Sequence, residues 1–95
     1  MIEIMRFRLA AGVDEEAFKR ADGHVQSDFA YHQPGLLRRT TARSHAGGWI
    51  VIDLWQSESD ADAAATTGAS DPVTARFMSL VDPTTVETER YDTLD

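Results

Sequence analysis

Gly48-Trp49-Ile50-Val51-Ile52-Asp53-Leu54-Trp55, continued by Gln56-Ser57-Glu58-Ser59-Asp60, is the stretch that decides the fold. It is the most apolar run in the chain and is rich in β-branched and aromatic residues, which marks a strand. Ser57 or Ser59 then supplies a helix cap, with Glu58, Asp60 and Asp62 in the early turns. Upstream, His45-Ala46-Gly47-Gly48 is a hairpin signal, so Leu36 to Ser44 is predicted to pair antiparallel with Trp49 to Trp55.

Outward from that hairpin, the same alternation of signals continues. Ile2 to Leu9 predicts a first strand, with Phe7 and Leu9 on one face and Ile2, Ile4, Arg6 and Arg8 on the other. A helix is expected from Val13 or Asp14 to His32. Its first turn is acidic, and Phe18, Ala21, Val25 and Phe29 form its buried stripe. Gly23 falls inside that helix and predicts a local bend or a close approach. Gln33-Pro34-Gly35 stops it, because proline disfavours helix in the residue before it. After Thr66-Thr67-Gly68, Asp71-Pro72 restarts a helix with Val73, Phe77, Leu80 and Val81 on its apolar side. Thr84 to Tyr91 predicts the last strand. The order is β-α-β-β-α-β: an α+β, ferredoxin-like arrangement of a four-stranded antiparallel sheet with helices on one face.

With 95 residues the chain is expected to be a single domain spanning residues 1–95. A net charge of −7 and a pI near 4.7 argue against nucleic acid or anionic membrane as partners, since both need clustered cations. There is no cysteine, hence no disulfide and no thiol nucleophile. The absence of an apolar run of about 18 residues, and of a signal-peptide pattern at Met1–Arg6, makes a cytoplasmic location the expectation.

Helices cover one face of such a sheet and leave the other bare. Ile50, Ile52 and Leu54 are uniformly aliphatic and are assigned to the helix-packed face, which leaves Trp49, Val51, Asp53 and Trp55 on the bare one. An exposed apolar patch of that kind calls for a cover. A homodimer formed sheet on sheet is the expected cover, against the plainer reading of a monomer whose C-terminal tail or second-helix loop covers that face. The element order, the stop Gln33-Pro34-Gly35-Leu36 and the junction Leu54-Trp55-Gln56-Ser57 together resemble the dimeric α/β-barrel superfamily, and within it the antibiotic-biosynthesis-monooxygenase-like domains. That resemblance implies two protomers joined into a barrel, with a ligand cavity between sheet and helices in each. It also implies chemistry on planar aromatic molecules without a cofactor. Haem-degrading relatives carry a tryptophan within helix two and a histidine near its end. The corresponding places, near Ala64 and near Arg76-Phe77-Met78, hold neither, so the resemblance does not extend to haem breakdown.

His24, Asp28 and Tyr31 recur at i, i+4 and i+7 and share one helical stripe. An aspartate one turn from a histidine orients the ring and raises its basicity, and a tyrosine beside them would donate to an oxyanion. They are therefore the catalytic candidates, against the plainer reading of a boundary histidine and a solvated acid. Asp53, mid-strand, requires a partner if buried; Arg6, Arg8, Arg38 and Arg90 are the available cations. Asp53 and Arg6 are read as polar anchors for a ligand, Trp55 and Phe77 as its aromatic walls. Asp53 as a structural ion pair and Trp55 as core are the plainer readings. The three histidines have no metal-site spacing, so no metal is expected, and the resemblance implies that no cofactor is needed. The leading function is a cofactor-independent monooxygenase-like enzyme acting on a small hydrophobic, aromatic or polyketide-like molecule. The alternative is a non-catalytic small-molecule-binding or interaction domain of the same fold.

Overall fold

The computed structural model describes residues 1–94 and has the expected order. Strand β1 is Ile2–Phe7 and helix α1 is Glu15–His24. Strands β2 and β3 are Leu36–Arg43 and Trp49–Trp55. Helices α2 and α3 are Glu58–Gly68 and Pro72–Ser79, and strand β4 is Glu87–Tyr91. The four strands form one antiparallel sheet in the order β2-β3-β1-β4. β1 and β4 are shorter than the sequence predicts. Past Phe7 only an isolated bridge joins Leu9 to Val81, and Pro83–Thr85 winds into a 3-10 turn before β4.

Each helix begins where its cap places it. Asp14 accepts from the Glu16 amide, Ser57 from Asp60, and Asp71 from both Val73 and Thr74. The long first helix is not uniform. After Gly23 it widens into a π-helical turn, Val25–Phe29, and then tightens into a 3-10 turn, Ala30–His32. The Ser27 hydroxyl donates to the Gly23 carbonyl at 3.0 Å inside this irregular stretch. A Cβ on Gly23 would meet nothing within 4 Å, so a change of helical geometry, and no close approach, accompanies this glycine. Gly35 is different: its φ is +84°, and a Cβ there would lie 2.2 Å from Asp60 Oδ2.

The register reverses the expected faces of β3. Phe7 stands directly opposite Trp49, and both are buried under the helices with Val51 and Trp55. Phe18 of α1, fully buried, sits 4.7 Å from Trp49, 5.2 Å from Phe77 and 5.7 Å from Phe7, centroid to centroid. These rings bury more area than the aliphatic alternatives and pack at interplanar angles of 47–60°, which selects the Trp49 face for the core. Ile50, Ile52 and Leu54 therefore lie on the helix-free face with Ile2 and Ile4, and Ile52 is 36% exposed. The bare apolar face exists, but it is built of aliphatic residues.

Candidate functional site

β3 alternates, so Asp53 and Trp55 share the helix-facing side two residues apart. Above them α2 offers Ala61, Ala64, Ala65 and Gly68, residues too small to reach the sheet. The result is an open cavity of about 440 Å³, lined also by Glu3, Phe29, Thr74 and Met78. Gly68 keeps one wall thin, since a Cβ there would come 3.2 Å from the Phe29 ring.

Three buried polar atoms have no hydrogen-bond partner among the described residues: Asp53 Oδ1, Trp55 Nε1 and Thr74 Oγ1. All three residues line this one cavity. Leaving such a group unsatisfied costs about 1–3 kcal/mol, and buried polar groups are otherwise nearly always paired. Burial pushes the Asp53 carboxyl up from its ordinary 3.8 to about 6. The charge of Arg39 opposes the rise, while Glu3 and Asp22 add to it. A carboxylate so placed is a stronger base than an exposed one and still ionised near neutral pH. Two other open clefts are larger, about 490 Å³ beside Arg6 and Arg8 and about 560 Å³ beside Lys19 and Arg38. Neither is lined by any of the three residues that carry the unpartnered atoms.

The electrostatic neighbour of Asp53 is Arg39, which the sequence reading did not include among the available cations. Arg39 is its direct cross-strand partner, with Nε 4.0 Å from Asp53 Oδ1. Three of the four named cations have other partners: Arg6 lies 3.5 Å from Glu89, and Arg8 donates to the Ala46 carbonyl. Arg90 binds Glu3, Asp62 and Glu58 at 2.8, 2.7 and 3.4 Å. The hydrogen bonds that Arg90 donates to Asp62 and Glu3 hold its guanidinium protonated well above its usual range. Glu3, a wall of the cavity, is thereby neutralised by β4.

The remaining predicted residues are not gathered at this cavity. His24 Nδ1 and Asp28 Oδ2 do meet, at 3.3 Å, but both side chains are more than half exposed. His24 borders a separate cleft of about 200 Å³ with Val73 and Arg76. Tyr31 turns back to β2, where its hydroxyl accepts from the Arg39 amide at 3.1 Å and donates to the Arg39 carbonyl at 3.3 Å. Phe77 is core, packed on Phe7 and Phe18, rather than a cavity wall. Arg6 lies on the helix-free side of the sheet, away from the cavity. Of the predicted set, Asp53 and Trp55 are brought together. Thr74, Phe29, Glu3 and Met78 were missed. The one signal for Thr74 was its place in the first turn after the Asp71-Pro72 cap.

Among the described residues, no group of three histidine or acidic side chains is placed to hold a metal, and no helix is long and apolar enough to cross a membrane.

This architecture, a four-stranded antiparallel sheet with its helices on one side, is that of antibiotic-biosynthesis-monooxygenase-like proteins. SnoaB, a cofactor-independent oxygenase from Streptomyces nogalater, superposes with a TM-score of 0.76 at 19% identity, covering 98% of this chain and 94% of its own. A candidate antibiotic biosynthesis monooxygenase from Caulobacter crescentus superposes at 0.81 with 14% identity, covering 99% and 89%. One from Nitrosomonas europaea gives 0.72 with 16% identity, covering 99% and 98%. No protein-family profile and no curated protein sequence matches the chain.

Proposed function

We propose that the cavity under α2 and α3 binds a small planar aromatic or polyketide-like molecule and oxidises it with dioxygen, without a cofactor. The observation that carries this reading is that three residues lining one largely apolar cavity each hold a buried, unpartnered polar atom. Asp53 would take a proton from an acidic ring carbon or phenol. Trp55 Nε1 and Thr74 Oγ1 would donate to the oxyanion that forms. The electron-rich anion would then react with dioxygen: one carbon exchanges two hydrogens for one oxygen atom, and the second oxygen atom leaves with those hydrogens as water. The resemblance of the fold to an oxygenase named as cofactor-independent supports the chemistry by analogy.

Asp53, and not His24, is the base in this proposal, because His24 faces solvent away from the cavity. The test is oxygen uptake with anthrone-like and phenolic compounds that raise the melting temperature. Asp53→Asn should lower uptake by roughly 100-fold or more, as expected for loss of a general base, while His24→Ala leaves it unchanged. Full uptake by Asp53→Asn would sink the proposal. Binding without any uptake would favour the alternative, a non-catalytic binding domain.

The helix-free face supports a homodimer, now through Ile2, Ile4, Ile50, Ile52 and Leu54. The 1–94 elements share one sheet, which supports a single domain. Light scattering should return twice the chain mass; a value of 10.5 kDa in dilute solution would refute the dimer.

A further inference from the structure

Arg39 lies between two carboxylates and treats them unequally. It is buried, 6% exposed, with its guanidinium over the Phe77 ring at 5.8 Å. Nη2 donates to Asp22 Oδ1 at 2.8 Å, and Nη1 donates to Gln26 Oε1 at 3.1 Å. On the other side Nε stops 4.0 Å from Asp53 Oδ1, short of a hydrogen bond. Asp22 is itself anchored by the Thr41 hydroxyl at 2.8 Å, and Tyr31 pins the Arg39 backbone. The fork is thus spent on α1 and the π-helical turn.

We propose that Asp22 is a positioning residue for Asp53: it draws the Arg39 fork toward α1 and so keeps Asp53 Oδ1 open to a proton from the ligand. The proposal rests on Asp53 being the base of the cavity. A guanidinium closing to hydrogen-bond distance would hold the carboxylate ionised and make it a poor base. The other groups facing Asp53 do not offer that contact. From β1 comes Glu3, already bound to Arg90 of β4; from α3 comes the Thr74 hydroxyl; α2 contributes alanines and a glycine.

The experiment follows the Asp53 side-chain carboxyl by carbon NMR through a pH titration of the ligand-free protein. Asp22→Ala should lower its midpoint by about one pH unit or more, because Arg39 is released onto Asp53. Asp22→Asn keeps an acceptor for the fork and should move the midpoint much less. In an Arg39→Gln background, Asp22→Ala should lower it no more than Asp22→Asn does, by the lost charge of Asp22 alone. An unmoved midpoint in Asp22→Ala overturns the proposal. So does an equal fall in Asp22→Ala and Asp22→Asn, which reports lost charge alone and needs no Arg39 variant to fold. The titration uses no substrate, so the two readings fail separately. A shift without oxygen uptake removes only the oxygenase; uptake without a shift removes only the role of Asp22.

Discussion

At its Trp49 end, β3 meets Phe18 of α1, Phe77 of α3 and Phe7 of β1, and four rings fill the space between helices and sheet. At its Trp55 end, it meets Ala61 and Ala64 of α2, and a cavity of about 440 Å³ remains. The backbone is the same strand under helices of similar length. What differs is side-chain volume, so one end is a core and the other a container. The polar atoms follow the same division: the three unpartnered ones are all at the container end. An apolar cavity with idle hydrogen-bonding groups is the arrangement on which the proposed binding of a small molecule rests.

Three changes would break or sharpen that contrast. The largest effect is expected from Phe18→Ala, which empties the filled end. Complete burial predicts a loss of about 3–5 kcal/mol in urea unfolding. A loss under about 1 kcal/mol would mean that the aromatic end is not the stabilising one. Asp53→Asn comes next and acts through pH. Below pH 3.8 folded and unfolded forms both hold the proton. Between 3.8 and about 6 only the folded form holds it, so rising pH favours unfolding. Above that the full penalty stands, about 3 kcal/mol at roughly 1.4 kcal/mol per pH unit. Asp53→Asn should therefore gain stability relative to the parent between pH 4.5 and pH 7.5; an unchanged difference across that range would show that burial does not perturb the carboxyl. The smallest effects come from a matched pair. Ala21→Leu adds volume beside the packed rings and should cost about 1–3 kcal/mol. Ala64→Leu adds it to the cavity, should cost under about 1 kcal/mol, and should abolish ligand-induced thermal shifts. Equal costs for the two would erase the distinction between the ends.

The fold was legible because its signals are local: caps at Asp14, Ser57 and Asp71, the stop at Pro34, the turn at Gly47-Gly48. The facing of β3 was not. Both its faces are apolar, and period-two alternation separates them without saying which meets the helices. The register decides that, by setting Phe7 opposite Trp49. Asp53 and Trp55 stood out as unusual residues of one strand. Their partners Arg39, Thr74 and Phe29 come from three other segments, and only long-range packing brings them near. His24, Asp28 and Tyr31 illustrate the converse. Spacing along a helix places His24 and Asp28 in contact, yet cannot say which way the stripe points.

The π-helical turn at Val25–Phe29 has a consequence for how the sequence is phased. An α-helix advances about 100° per residue, and one extra residue in a turn rotates everything after it by that step. Phe18, Ala21 and Val25 are buried up to the start of the turn; Phe29 closes it and Tyr31 follows it. The surplus residue is what delivers Phe29 to the cavity wall and Tyr31 to the backbone of Arg39. The first helix thus works as two rotors in series, one keyed to the aromatic core and one to the cavity, offset by a single inserted amino acid.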